Sequence, residues 1–126
     1  MKDQPLPNWR DRQKLLYSKD KNIDPKILIQ FGELALSLGC LQDALDYFKA
    51  AKDSKALEKL VSVAIKDGDA FLIQAIEKIT GPLTVENWNK VGYNAFELGK
   101  HRFAQTAFEK TQNELMLAKV RAASST

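Results

Sequence analysis

From Pro25 onward, apolar side chains recur every three or four positions, and their rows break only at glycine, proline or a short polar pair. That spacing marks amphipathic helices, and no segment alternates as a strand would. Ile27, Leu28, Phe31, Leu34, Ala35 and Leu38 share one face; Asp24-Pro25 supplies a cap and a first-turn proline before them, and Gly39 closes the run. A second run, with Leu41, Ala44, Leu45, Phe48 and Ala51 inward, lasts to about Lys52, where Asp53-Ser54 offers the next cap. Two antiparallel helices joined by a tight turn are therefore predicted. The same reasoning gives a helix over about 55–66 (Leu57, Leu60, Val61, Ala64, Ile65), a turn at Asp67-Gly68-Asp69, a helix to about Ile79 and a break at Gly81-Pro82. Thr84 then caps a helix through Leu98; a turn at Gly99, a helix from about His101 to Gln112 and a last short helix from Glu114 complete the chain, with Ser124-Ser125-Thr126 expected to fray.

Laid against itself at an offset of sixty residues, the chain repeats. Gly32/Gly92, Ala35/Ala95, Leu38/Leu98, Gly39/Gly99, Ala44/Ala104, Phe48/Phe108, Leu57/Leu117 and Lys59/Lys119 are identical, and Leu28/Trp88, Phe31/Val91, Leu36/Phe96, Asp53/Asn113 and Leu60/Val120 agree in character. Nearly all the identities are glycine or apolar residues, so the repeat follows packing. A glycine within a helix costs about 1 kcal/mol relative to alanine, so Gly32 and Gly92 require a reason. Close approach of the second helix, carrying Ala44 and Phe48 or Ala104 and Phe108, supplies one.

Trp88, Gly92, Ala104, Phe108 and Thr111, and Leu28, Gly32, Ala44, Phe48 and Ala51, follow a fixed spacing of large residue, glycine, alanine, aromatic and small residue. This pattern resembles the tetratricopeptide repeat. The middle hairpin departs from it, with Val61 at the glycine position and Ile73 at the alanine position, and neither good copy ends in the family's proline. The runs Asp53-Ser54-Lys55-Ala56-Leu57 and Asn113-Glu114-Leu115-Met116-Leu117 are similar to the helical solenoids of coatomer and intraflagellar-transport subunits, over residues 25–121. The resemblance implies an all-α fold, a right-handed α-α superhelix of stacked antiparallel hairpins with about seven or eight helices. Its expected parts are a basic N-terminal segment over 1–24 with a short capping helix, hairpins at about 25–52, 55–80 and 84–112, and a final half-repeat at 114–123.

In such relatives the first helix of each pair lines a concave groove that binds peptides. Position transfer places Gln30, Glu33 and Ser37, then Lys59, Ser62 and Lys66, then Asn89, Lys90, Tyr93 and Glu97 on that wall. The family's lysine and asparagine clamp for a C-terminal carboxylate is absent, because its leading positions hold Ile29 and Glu33. The implied function is a non-catalytic interaction or scaffolding module for a protein or peptide partner. An accessory or regulatory subunit of an enzyme complex, using the same groove, is the alternative. The last helix lacks its partner helix, leaving Leu115, Leu117 and Val120 in need of cover, which predicts self-association or a partner continuing the stack.

Composition changes this picture little. At 126 residues, 44% hydrophobic and 28% charged, the chain is long and apolar enough to bury a core. The net charge of +3 is local: seven basic side chains (Lys2, Arg10, Arg12, Lys14, Lys19, Lys21, Lys26) face four aspartates in residues 1–26, and the remainder carries twelve of each sign. A nucleic-acid role for that segment is disfavoured, because Asp3, Asp11 and Asp20 interrupt it. Lys2, Asp3, Pro5 and Pro7 stand where a signal peptide needs an apolar core, and no apolar run approaches the roughly 20 residues of a membrane span. The single cysteine, Cys40, excludes an internal disulfide and points to a reducing cytosol, with Cys40 itself expected to pack. His101, between Lys100 and Arg102, reads as a turn residue, and no metal-ligand spacing, phosphate loop or catalytic pair appears, so no cofactor, metal or catalytic site is expected. Trp88 reads as core, and a short helix over Trp9–Tyr17 is expected to cover the first hairpin with Trp9, Leu15 and Leu16.

Overall fold

The computed structural model describes residues 7, 8, 10–12, 16 and 23–124. Beyond a helical turn at Arg10–Arg12, seven helices follow in order: α1 Pro25–Ser37, α2 Leu41–Ala51, α3 Ser54–Asp67, α4 Ala70–Thr80, α5 Val85–Glu97, α6 His101–Thr111 and α7 Glu114–Ser124. The fold is all-α, and no strand occurs among the described residues. No helix in them is long and apolar enough to cross a membrane. The chain divides into two compact units, Met1–Leu60 and Val61–Thr126.

The caps lie where the polar punctuation predicts them. Asp24 accepts from the Lys26 amide at 3.0 Å, Asp53 from Ala56 at 3.0 Å, Asp69 from Leu72 at 3.0 Å, Thr84 from Asn87 at 3.1 Å and Asn113 from Met116 at 3.2 Å. Each satisfies an amide that the first helical turn would otherwise leave unpaired. Within all three hairpins the turn is the same: the amides of Cys40, Asp69 and Lys100 donate to the carbonyls of Ala35, Ala64 and Ala95 at 2.8, 2.9 and 2.8 Å. The middle hairpin, which departs from the repeat in its side chains, keeps the backbone turn. Between repeats a second turn recurs, with Lys52 and Gln112 left-handed at φ 54° and 55° and the amides of Asp53 and Asn113 returning to Phe48 and Phe108.

In the first unit α1 packs on α2 through Leu28, Gly32 and Ala35 on one side and Ala44, Leu45 and Phe48 on the other, all buried. In the second unit α5 packs on α6 through Trp88, Val91, Gly92 and Ala95 against Ala104, Ala107 and Phe108. The glycines have the predicted reason. A Cβ on Gly92 would lie 2.6 Å from Phe108 Cε1, and one on Gly32 would strike the Phe48 ring in the same way. Gly68 combines a turn with close approach: its φ is 64°, and a Cβ there would meet the Ala95 backbone at 2.5 Å.

Several expected core positions are not core. Ile27 is 43% exposed, Leu38 60% and Leu98 57%. Buried Leu28, Gly32 and Ala35 fall on a narrow row, while Ile27 lies to its side and Leu38 and Leu98 stand past the helix ends. Leu117 and Val120, expected to need outside cover, are buried against Ala95, Ala104, Phe108 and Met116 within their own unit, flanked by Phe96 and Phe103. Of the three side chains that motivated self-association through the last helix, only Leu115 is exposed.

Candidate protein-interaction face

The ten groove residues divide between the units, with Gln30, Glu33, Ser37 and Lys59 in the first and Ser62, Lys66, Asn89, Lys90, Tyr93 and Glu97 in the second. All except Asn89 are exposed.

On α1, Lys26, Gln30, Glu33 and Ser37 follow one another at helical spacing as a solvent-facing stripe. Ser37 Oγ donates back to the Leu34 carbonyl at 2.7 Å. Glu33 Oε1 lies 3.7 Å from Lys59 Nζ, so the first unit brings two groove candidates from α1 and α3 together. Both are more than half exposed, and such a pair contributes about 0–1 kcal/mol. Its use is to fix which rows of the two helices are neighbours.

On α5 the matched stripe is Glu86, Lys90, Tyr93 and Glu97. Lys90 Nζ stands 3.7 Å from Glu86 Oε1, one turn apart on an exposed face. Tyr93 is 47% exposed, and its ring meets buried Phe108 edge-on, with centroids 5.3 Å apart at 75°. That contact holds the base of an aromatic side chain whose remainder faces solvent. Asn89 is half-buried, and its Oδ1 accepts from Asn113 Nδ2 at 3.4 Å, so it ties α5 to the start of α7. Ser62 and Lys66 lie on α3, Lys66 in its last turn.

The sixty-residue register finds one residue that position transfer omitted. Glu33 and Lys59 of the first unit correspond to Tyr93 and Lys119 of the second, and Lys55 corresponds to Leu115. Leu115 is 70% exposed and precedes Lys119 by one turn. Comparing Lys55 with Leu115 was the available signal: the stripe changes from charge to a large apolar side chain at that step. Tyr93 and Leu115 are thus the two large apolar groups exposed on the matched rows of α5 and α7.

Other residues with chemical interest are occupied otherwise. Trp88 is core at 4% exposed; its Nε1 donates to Glu77 Oε2 at 3.0 Å, the same oxygen accepts from the Leu83 amide at 2.8 Å, and Lys110 lies 5.8 Å over the ring. Glu77 thereby fastens the Gly81-Pro82 break, a role its sequence setting does not announce. His101 opens α6 and stacks on Phe96, with centroids 6.0 Å apart at 16°. Cys40, expected to pack, is exposed, because it stands after the Gly39 turn at the cap position of α2. Of the basic N-terminal residues, Arg10 is exposed and Arg12 is paired with Asp43 and Asp46. Lys2, Lys14, Lys19 and Lys21 lie outside the described residues, as do Trp9 and Leu15 of the expected capping helix. Leu16 lines a cleft with Asp46, Lys49, Ala50 and Lys52 of the first hairpin.

The chain matches no family model, no curated protein and no solved structure.

Proposed function

We propose that this chain is a non-catalytic protein-interaction module of the tetratricopeptide-like helical-repeat type, binding a peptide or partner helix on its first-helix faces. One observation carries the reading: on the second unit's matched rows, Tyr93 and Leu115 are exposed apolar anchors on stripes otherwise made of Glu86, Lys90, Glu97 and Lys119. Interfaces draw most of their affinity from a few such anchors, aromatic ones above all, within a polar surround. Phe108 holds the Tyr93 ring edge-on, so less of its freedom is lost on binding. The flanking charges are mixed in sign, which suits a partner segment with both acidic and basic residues around an apolar row. The setting inferred from the lone cysteine, a reducing cytosol, accompanies this reading.

Affinity capture from native lysate, comparing the wild type with a Tyr93→Ala, Leu115→Ala variant of unchanged helix content, tests it. A partner lost selectively by the variant is the expected result. A partner retained equally by both moves the interaction away from these faces and overturns the assignment.

A further inference from the structure

Three positions on α2 depart from the repeat together. Asp43, Asp46 and Tyr47 stand where the matched helix α6 has Phe103, Thr106 and Ala107. At three- and four-residue spacing they share one face. In the second unit this face is ordinary packing: Ala107 is fully buried and α4 packs on α6.

In the first unit the same face carries two carboxylates, and Arg12 lies on them. Arg12 Nη2 is 3.4 Å from Asp43 Oδ1 and bonds Asp46 Oδ2 directly. Asn8 sets up this contact, accepting the Asp11 amide on its side chain at 2.9 Å and the Arg12 amide on its carbonyl at 2.9 Å, so that Arg12 projects from a capped helical turn. Tyr47 is 1% exposed, and its hydroxyl has no hydrogen-bond partner; Arg12 Nε is buried and equally unpaired. Burial raises the Tyr47 pKa, Arg12 opposes the rise, and Asp43 and Asp46 add to it, so this hydroxyl stands within the field of the same three groups. A cleft of about 180 Å³ lined by Leu16, Asp46, Lys49, Ala50 and Lys52 adjoins the cluster.

We propose that Asp43, Asp46 and Tyr47 form an arginine socket on α2, filled in cis by Arg12 as an exchangeable plug, and that an arginine-bearing segment of a protein partner binds by replacing it. Both carboxylates meet one guanidinium nitrogen, Nη2, and the planar group carries further N–H donors in a fixed fork that lysine lacks. The cis plug fits incompletely, because it leaves Arg12 Nε and Tyr47 Oη buried without partners, and unpaired buried polar atoms weaken the closed state. An arginine that also donates to the Tyr47 hydroxyl fills the socket better and displaces the plug. This site is on the second helix of the first hairpin, apart from the Tyr93 and Leu115 rows, so the two readings fail independently.

The test is an amide-resolved NMR titration of the full chain with a synthetic peptide of residues 7–16, which carries Arg12 in its own context. The protein is prepared as wild type, as Arg12→Ala and as Arg12→Ala with Asp43→Asn and Asp46→Asn. Expected are shifts at the Asp43, Asp46 and Tyr47 amides of Arg12→Ala, with binding at least about tenfold tighter than to the wild type. A peptide lacking its own Arg12, or a protein lacking both carboxylates, should lose about tenfold as well. Equal binding to wild type and Arg12→Ala, shifts confined to other regions, or no shift in Arg12→Ala would each overturn the proposal. Should Arg12→Ala lose its fold, Arg12→Lys replaces it with the same expected and contrary results, since lysine keeps the charge without the fork.

Discussion

In both α1–α2 and α5–α6 a glycine on the first helix faces a fully buried phenylalanine on the second, Gly32 with Phe48 and Gly92 with Phe108. The flanking alanines and the turn hydrogen bond also repeat. Around this shared seam the hairpins diverge. In the second, Asn94 Nδ2 donates to the Ile65 carbonyl at 2.8 Å and Lys100 Nζ to the Asp67 carbonyl at 2.8 Å, closing the C-terminal end of α3. The matched positions in the first hairpin are Leu34 and Cys40, which offer no such donors. On the second helix the first hairpin instead holds Asp43, Asp46 and Tyr47 under Arg12. The seam is thus the part the fold repeats, and the edges record what each hairpin meets.

The largest effects should come from the seam and be equal in both copies. Phe48→Ala and Phe108→Ala each remove a fully buried ring and should cost about 3–5 kcal/mol in chemical denaturation. A cost confined to one of them would mean that the hairpins do not share a load. Gly92→Ala is a sharper probe, because helix propensity alone favours it by about 1 kcal/mol while the Cβ would press on a fully buried ring 2.6 Å away. Overpacking should win, giving a net loss of about 1–2 kcal/mol.

The edges should respond unequally. Asn94→Leu, which installs the residue of the first hairpin, removes the side-chain donor to the Ile65 carbonyl, which keeps the Gly68 amide at 3.1 Å, and should cost about 0.5–1.5 kcal/mol. The reverse exchange, Leu34→Asn, adds a polar group at a half-buried site with no helix end to close. It gains no compensating bond, so similar stabilisation from it would erase the distinction between the edges.

Smaller effects test the turns and Tyr47. Lys52→Gly and Gln112→Gly each relieve a left-handed non-glycine residue and should stabilise by about 0.5–1 kcal/mol. Tyr47 has no counterpart in the second hairpin, and its pKa lies above the ordinary value of 10.0 chiefly through burial. The folded state therefore keeps this proton to higher pH than the unfolded chain does. Stability contributed by the neutral hydroxyl is complete below pH 10.0 and declines as pH rises through the folded pKa. Denaturation across that window should show a falling slope that Tyr47→Phe reduces.

Helices and caps were legible because their signals are local: Asp24 before Pro25, Thr84 before Val85, and glycine at 39, 68 and 99 each act within a few residues. The repeat was legible because close packing tolerates few side chains at Gly32, Ala44 and their matches. Burial of Leu117 and Val120 was not, because it depends on how α7 returns to α5 and α6. Nor was the role of Asp43 and Asp46, which lie off the apolar row of Leu41, Ala44, Leu45 and Phe48 and show their use only when Arg12, 34 positions before Asp46, is seen against them. On the candidate face, Tyr93 and Lys90 came from position transfer alone, whereas Leu115 needed the ion pair of Glu33 and Lys59 to fix the register between neighbouring rows.

On the proposed reading, the second unit presents Tyr93 and Leu115 as anchors for a partner segment. The most direct test of this reading is to select peptides from a displayed random library on the full chain and map the tightest binder by amide shifts. Shifts centred on Lys90, Tyr93, Leu115 and Lys119, with affinity reduced at least about tenfold by Tyr93→Ala, are predicted. Peptides that leave these amides unmoved and bind the Tyr93→Ala chain as tightly as the wild type would contradict it.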